Sequence, residues 1–286
     1  EPTPIWQSTL QDGTHPSDPA FAIVDENTGY VVLTTTEASN GAMWVWKLDS
    51  DNGDQKWDGL LLPNNLGGTD SDVPHIRLPG PIVAELDSST SGPEIVVTIP
   101  ADPDGSSDVL GAQFRGLNLD DGNELWSFEA VNGYADAPPV LIDSDNDGTQ
   151  DRACWVTWHQ TTFDRHGQAG CHDLSTTTPQ LEWYHDLERT SGNLNDEIAV
   201  SQPIWMNIDG DGIPELLVAY GRTLWAWDGD SGTQVAINSE WAAELELNHR
   251  VWSSPAMADI DGDATLDIII GDTVVSTKLA DLRPLI

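Results

Sequence analysis

Pro203-Ile204-Trp205-Met206-Asn207-Ile208-Asp209-Gly210-Asp211-Gly212-Ile213-Pro214-Glu215-Leu216-Leu217-Val218 decides the architecture, because the same phrase recurs along the chain. It returns as Pro255-Ala-Met-Ala-Asp259-Ile-Asp261-Gly-Asp263-Ala-Thr265-Leu-Asp267-Ile-Ile-Ile270, and as Pro139-Val-Leu-Ile-Asp143-Ser-Asp145-Asn-Asp147-Gly-Thr149-Gln-Asp151. Fainter copies begin at Pro81 (Pro-Ile-Val-Ala-Glu-Leu-Asp) and Pro19 (Pro-Ala-Phe-Ala-Ile-Val-Asp). Each copy opens on a short apolar run, passes through an acidic Gly-containing loop and continues into a second apolar run. Short apolar runs punctuated by Gly, Pro, Asn and Asp are the pattern of an all-β chain. The best helical window, Glu240 to Leu247, is too short to change that reading.

The five starts, near 19, 81, 139, 203 and 255, lie 52 to 64 residues apart. Within each unit a third run ends in an acidic Gly turn and a Trp-led fourth run follows, at Trp57, Trp126, Trp183 and Trp241. The fifth unit ends without such a run, and Pro4-Ile5-Trp6-Gln7-Ser8-Thr9-Leu10 is left over at the far end. The expectation is one domain, residues 1–286: a β-propeller of five four-stranded blades in which residues 1–18 complete the last blade. Radial repetition of four-stranded units leaves only short, protected sheet edges. In this reading Ile5 to Leu10 pairs with the strand near Val274 to Leu279. It could instead insert into a neighbouring molecule and build a filament.

The loops carry the chemistry. Alternate carboxylates in a tight loop converge on one point, and a hard cation such as Ca²⁺ takes six to eight oxygens. The third unit supplies Asp143, Asp145 and Asp147, the Thr149 carbonyl, and Asp151 to close the shell. Gly148 permits the sharp reversal. The fourth supplies Asn207, Asp209, Asp211, the Ile213 carbonyl and Glu215. The fifth supplies Asp259, Asp261, Asp263, the Thr265 carbonyl and Asp267, with Ala264 in the glycine place. Glu85, Asp87 and Ser89 slip by a residue before Glu94, and only Asp25 and Asn27 remain in the first unit. The expectation is therefore about three Ca²⁺ sites, with none in the first two units. Asp102 to Asp108 and Asp49 to Asp54 are weaker cation loops that fall where strand turns belong.

The unit Pro-x-x-x-Asp-x-Asp-x-Asp-Gly-x-x-(Asp/Glu) followed by an apolar run resembles the FG-GAP/VCBS repeat of integrin α-chain propellers and many secreted microbial proteins. The resemblance implies a β-propeller whose Asp loops hold structural Ca²⁺, clearly in three units and poorly in two. Leu224-Trp-Ala-Trp-Asp-Gly-Asp-Ser-Gly-Thr-Gln234 and Leu117-Asn-Leu-Asp-Asp-Gly-Asn-Glu-Leu-Trp126 are similar to the third-to-fourth strand turn of quinoprotein-like propellers.

Charge narrows the partners. The chain has 286 residues, 48 acidic against 11 basic side chains, and a formal charge of −37. Nucleic acids and anionic membrane surfaces are disfavoured as partners, since both are held by clustered Lys and Arg. No run of 18 or more apolar residues exists to span a bilayer as a helix. The acidity beyond the loops suits high or marine salt, where screening tolerates self-repulsion. The opening Glu1-Pro2-Thr3-Pro4 reads like a mature or trimmed start. Cys154 and Cys171 read as a disulfide between neighbouring strands, in an oxidising compartment. His159, His166 and His172 lie nearby, with no tight Cys pair to make a zinc site.

No Gly-x-Ser-x-Gly elbow, His-Glu-x-x-His helix or phosphate-cradling loop is present. The expectation is a protein that is not an enzyme: a secreted or cell-surface calcium-binding module for adhesion, surface assembly or glycan recognition, with a protein or glycan ligand. The alternative is a polysaccharide-acting glycosidase or lyase with an axial active site. Trp44, Trp46, Trp155, Trp158, Trp205 and Trp252 are candidates for sugar stacking or for core.

Overall fold

The computed structural model describes residues 8, 10, 15–25, 28–36, 43–57, 59–62, 79–86, 92–100, 111–131, 133–135, 137–145, 147–160, 165–187, 202–208, 213–220, 223–235, 244–246, 254–260, 262, 266–270, 273–276 and 282–284. Among these the chain is all-β and helix-free, folded into five antiparallel sheets that follow one another in sequence. The first sheet contains β1 (His15–Pro16), β2 (Ala20–Asp25), β3 (Thr28–Thr36), β4 (Met43–Asp49) and β5 (Leu60–Leu62). The second is β6 (Ile82–Ala84), β7 (Glu94–Ile99), β8 (Gln113–Leu117) and β9 (Glu124–Glu129). The third is β10 (Val140–Ile142), β11 (Arg152–Gln160), β12 (Arg165–Asp173) and β13 (Gln180–Leu187). The fourth is β14 (Ile204–Met206), β15 (Glu215–Tyr220), β16 (Thr223–Asp228) and β17 (Glu244–Glu246). The fifth is β18 (Ala256–Ala258), β19 (Asp267–Ile270), β20 (Thr273–Ser276) and β21 (Leu282–Pro284).

The sheets stack face to face, and that explains the continuous apolar runs. A strand covered on both faces has no solvent side to alternate with. Thus all six residues of β7 (EIVVTI) and of β15 (ELLVAY) are buried. Between the first and second sheets lie Ala22, Val32 and Val45 against Ile95 and Val97. Between the second and third lie Val96, Phe114 and Phe128 against Ala153 and Trp155. Cys154, Val156 and Trp183 meet Leu216, Val218 and Trp227 at the third joint. Met206, Leu217 and Ala219 meet Ile268 and Ile270 at the fourth. Polar ties cross the joints too. Lys47 donates from Nζ to the Leu119 carbonyl at 2.7 Å and stands 4.0 Å over the Tyr30 ring. Arg152 pairs with Glu182 at 2.9 Å and also with Asp230, in the turn of the next sheet.

One turn is built three times. After β4, β8 and β16, the residues at Asp49, Asn118 and Asp228 accept a backbone N–H on their own side chains from Asp51, Asp120 and Ser231. Their carbonyls accept from Gly53, Gly122 and Gly232 at 2.9, 2.9 and 2.8 Å. Each of those glycines has positive φ, between 65° and 76°, a backbone that a β-carbon would strain. Asp49 to Asp54 is thereby a strand turn, with Asp49 further paired to Lys56 at 2.8 Å. Asp102 to Asp108 lies outside the described residues.

Cys154 and Cys171 form the disulfide, directly opposite each other on β11 and β12 with Cα atoms 4.0 Å apart. Both are fully buried against the fourth sheet.

Three expectations need correction. The outer place beside β20 is taken by β21, with Thr273, Val274 and Val275 registered on Pro284, Arg283 and Leu282. Proline lacks an N–H, so it suits such an outermost strand. The C-terminal segment Leu282–Pro284 therefore takes the place beside β20 that was expected of Ile5 to Leu10. Ile5, Trp6, Gln7 and Thr9 lie outside the described residues, whereas β1 pairs with β3, and Leu10 packs on Val31, Leu33, Trp46 and Leu48 of the first sheet. Second, the first sheet has five strands, because β1 and β2 both pair with β3. Third, Trp57 precedes its fourth strand and packs half-buried at the first joint, its Nε1 donating to the Asp120 carbonyl. Trp126 and Trp183 do sit buried on fourth strands. Trp6, Trp241 and Trp252 lie outside the described residues. Of the stacking candidates, Trp46 and Trp155 are fully buried and Trp44, Trp158 and Trp205 are half-buried.

Candidate metal centre

The loop between β10 and β11 brings the carboxylates of Asp143, Asp145 and Asp147 together, with one oxygen from each within 4.8 Å of the others. Local hydrogen bonds set this shape. The Asp147 N–H is shared between Asp143 Oδ1 and Asp145 Oδ1, both at 3.1 Å. The Gly148 N–H reaches Asp143 Oδ2 at 2.9 Å, and the Thr149 N–H reaches Asp147 Oδ1 at 2.7 Å. Gly148 has φ +97°, the sharp reversal for which a glycine is needed here. Asp145 and Asp147 are exposed and Asp143 is half-buried. Three convergent carboxylates on one side of a loop can hold a metal ion, since a bound cation offsets the mutual repulsion of their charges.

Asp151 is used differently. Its Oδ1 accepts the Ser144 N–H at 3.0 Å and its Oδ2 accepts the Ser144 hydroxyl at 2.5 Å. The same fastening recurs in the other sheets. Glu215 Oε2 accepts the Ile208 N–H at 2.6 Å, and Asp267 Oδ2 accepts the Ile260 N–H at 3.0 Å. Glu94 Oε2 accepts the Leu86 N–H at 2.8 Å. Glu94, Glu215 and Asp267 are buried, at 1%, 0% and 4% exposure. The acid that heads the second strand thus ties down the second residue of the loop before it. It does so in the second sheet as well, where the three-carboxylate pattern is broken.

Asp209, Asp211, Asp261, Asp263 and Thr265 lie outside the described residues, so only the ends of the fourth and fifth loops are placed. Asn207 and Asp259 are exposed at the starts of those loops, and Ile213 is half-buried. In the fifth loop the Gly262 N–H donates to Asp259 Oδ1 at 2.7 Å. The tie between loop and strand went unread in the sequence. Its signal is an acid placed in an otherwise apolar strand, where burial without a partner would be costly.

His172 is the other polar group of note. It is buried between the second and third sheets, stacked on Phe128 with ring centroids 4.0 Å apart, and its Nδ1 accepts the Trp155 Nε1–H at 3.0 Å. Burial pushes its pKa down to about 4. It is therefore a neutral core residue at physiological pH. His159 and His166 are backbone register partners at the far end of β11 and β12, six residue pairs from the His172 position. The side chains of His159 and His166 lie outside the described residues.

Sheets, turns and acidic loop define an all-β, propeller-like chain built on a repeated acidic-loop unit. Residues 207–270 match the FG-GAP-like repeat. No curated protein matches the chain. Among solved structures, the rhamnogalacturonan lyase of Bacillus licheniformis is similar over 95% of this chain and 59% of its own, with TM-score 0.50 and 13% identity. The rhamnogalacturonan lyase YesW is similar over 92% of this chain and 56% of its own, with TM-score 0.49 and 13% identity. An endo-arabinase from Bacteroides thetaiotaomicron covers 96% of this chain and 95% of its own, with TM-score 0.38 and 14% identity. The chain spans less than three-fifths of the length of the two lyases. The likeness to the first lyase overturns the expectation that the chain is not an enzyme, because in that protein the same strand arrangement is an enzyme's scaffold. No helix among the described residues is long and apolar enough to cross a membrane.

Proposed function

We propose that the chain is a secreted or cell-surface calcium-binding β-propeller, its five sheets the blades, which engages extracellular polysaccharide. The observation that carries the metal is the convergence of Asp143, Asp145 and Asp147 in a loop whose own N–H groups fix all three carboxylates. Ca²⁺ is the cation such hard oxygen donors suit, with the Thr149 carbonyl as a further ligand. The loops at Asn207 and Asp259 are the second and third sites. Bound Ca²⁺ would neutralise part of the net charge and fix the loop rims against solvent. The buried disulfide supports the extracellular setting, because such bonds persist in oxidising compartments.

The polysaccharide reading is supported by the fold shared with the Bacillus licheniformis rhamnogalacturonan lyase. Processing of the bound polymer by eliminative cleavage is the catalytic form of the same proposal. It is tested by incubating the full chain with acidic and neutral polysaccharides and following the ultraviolet absorbance of the unsaturated end that elimination leaves. Turnover establishes the catalytic form. Saturable binding without turnover leaves the binding form alone, and the absence of both overturns the polysaccharide reading.

For the metal, extracellular modules bind Ca²⁺ with Kd of about 10⁻⁴–10⁻³ M. A tenfold excess over Kd then contributes roughly 1.4 kcal/mol at the Asp143 loop. Chelation should lower the melting temperature, and Asp145→Ala should remove that loop's share of the response. A melt indifferent to both chelator and Ca²⁺ rules the metal out.

A further inference from the structure

Asp151 is the residue expected to close the shell of the third loop, yet both of its oxygens are committed to Ser144. One accepts the Ser144 N–H at 3.0 Å and the other the hydroxyl at 2.5 Å. The loop then offers the carboxylates of Asp143, Asp145 and Asp147 and the Thr149 carbonyl. Counting about one oxygen from each gives roughly four, whereas a calcium shell takes six to eight. Among the described residues no further acidic or imidazole side chain joins the three. Asp145 and Asp147 are exposed, and nothing described lies within 4 Å of the place that a β-carbon on Gly148 would occupy. A calcium ion held here would face solvent with at least about two places to fill from outside the loop. The fifth loop is built alike. Nothing described lies within 4 Å of a β-carbon on Gly262, and Asp267 is buried and bonded to the Ile260 N–H.

We propose that the metal of the Asp143 loop is the contact point for polysaccharide, and that it takes two adjacent hydroxyls of a neutral sugar residue. This rests on the calcium and polysaccharide reading above, in its binding form. Charge selects the ligand. Three carboxylates and a doubly charged cation leave the loop one net negative charge, in a chain of −37, so a carboxylate-bearing sugar is repelled. The described cationic side chains are already engaged and offer such a sugar no counter-charge. Lys47 is buried on the Leu119 carbonyl, and Lys56, Arg115 and Arg152 pair with Asp49, Glu124 and Glu182. A hydroxyl meets no such repulsion and serves twice, its oxygen ligating the metal while its proton donates to a carboxylate. Asp145 and Asp147 each use only Oδ1 towards the loop N–H groups, so among the described residues Oδ2 of each is open to such a proton. Two hydroxyls on adjacent carbons are already held side by side, so filling both places costs little further ordering.

Terbium luminescence on the full chain tests this, with Tb³⁺ in place of Ca²⁺ and lifetimes in light and heavy water counting the waters on the ion. The difference between the parent and Asp145→Ala isolates the Asp143 loop from the many other carboxylates. At least about two waters are expected there, and galactotriose or mannotriose, which present different diol geometries, should displace them. Trigalacturonate is the acidic counterpart of galactotriose, with a carboxylate on every sugar. In calorimetry with Ca²⁺ at low salt it should bind at least about tenfold more weakly than the better neutral sugar, and added salt should narrow the gap. Chelator should abolish binding of the neutral sugar. Four results overturn the proposal: an ion bound without water, water retained in the presence of both neutral sugars, neutral-sugar binding that survives chelation, or trigalacturonate bound as tightly at low salt. If Ca²⁺ and Tb³⁺ bind the parent no better than Asp145→Ala, the metal reading itself fails and this proposal with it, a result distinct from the other four.

Discussion

Replacing Glu215 with alanine should destabilise the fold by about 3–4 kcal/mol, and should do so equally with calcium and with chelator. The Glu215 side chain is fully buried, and its Oε2 accepts the Ile208 N–H at 2.6 Å. Truncation removes a hydrogen bond of about 1.5–3 kcal/mol, leaves a buried donor unsatisfied and opens a cavity beneath the loop. Glu215→Gln keeps an acceptor at the same reach and should recover much of the loss. Asp145→Ala is the contrasting variant. That side chain is exposed, so without metal its removal should cost less than about 0.5 kcal/mol. Denaturant unfolding of both variants, each with calcium and with chelator, separates the two roles. If Glu215→Ala unfolds like the parent once calcium is chelated, the residue acts as a metal ligand and the structural tie is wrong.

That pair of variants also marks where the sequence could and could not be read. The repeated prolines located the sheets closely: β2, β6, β10, β14 and β18 each begin one residue after Pro19, Pro81, Pro139, Pro203 and Pro255. Spacing does this well because every unit must enter its inner strand in the same way. The acid at the end of each loop was legible as a position that recurs from repeat to repeat, whereas the hydrogen bond it accepts from the loop before it was not. A ligand carboxylate and a buried carboxylate that caps an N–H have the same letter at the same spacing, and only burial tells them apart. The second unit is the instructive case. Its acidic pattern slips by one residue, which reads as a lost metal loop, but Glu94 still reaches the Leu86 N–H, eight residues back where the other loops have seven. The N-terminal closure failed for a related reason. Counting tryptophans treated Trp6 as the missing fourth strand, whereas Leu282–Pro284 carries no Trp and takes the place beside β20. Trp155 is buried between the second and third sheets, whereas Trp46 is buried on the first sheet among Val31, Leu33 and Leu48, with Leu10 and Trp44 packed against them.

Acid should weaken this protein through one histidine that the repeat pattern does not reveal. His172 is buried between two sheets, and its Nδ1 is occupied as an acceptor from Trp155, so the ring is held neutral. Burial lowers its pKa from 6.5 to about 4. The unfolded chain therefore binds a proton at a pH where the folded one does not, and stability falls as pH drops from about 6.5 towards 4. Above pH 6.5 the contribution is complete. Over the full interval the loss is about 3 kcal/mol, because each tenfold difference in proton affinity between the folded and unfolded chain is worth about 1.4 kcal/mol. The carboxylates obscure this in the parent alone, because their protonation relieves self-repulsion over the lower part of the same range. His172→Asn supplies the comparison: its Oδ1 can accept the Trp155 Nε1–H and it does not titrate. The difference in unfolding free energy between parent and variant should be flat above pH 6.5 and should move against the parent as the pH falls. Parallel curves down to pH 4 would mean that the imidazole titrates alike in both states, and that its burial between Phe128 and Trp155 does not exclude the charged ring.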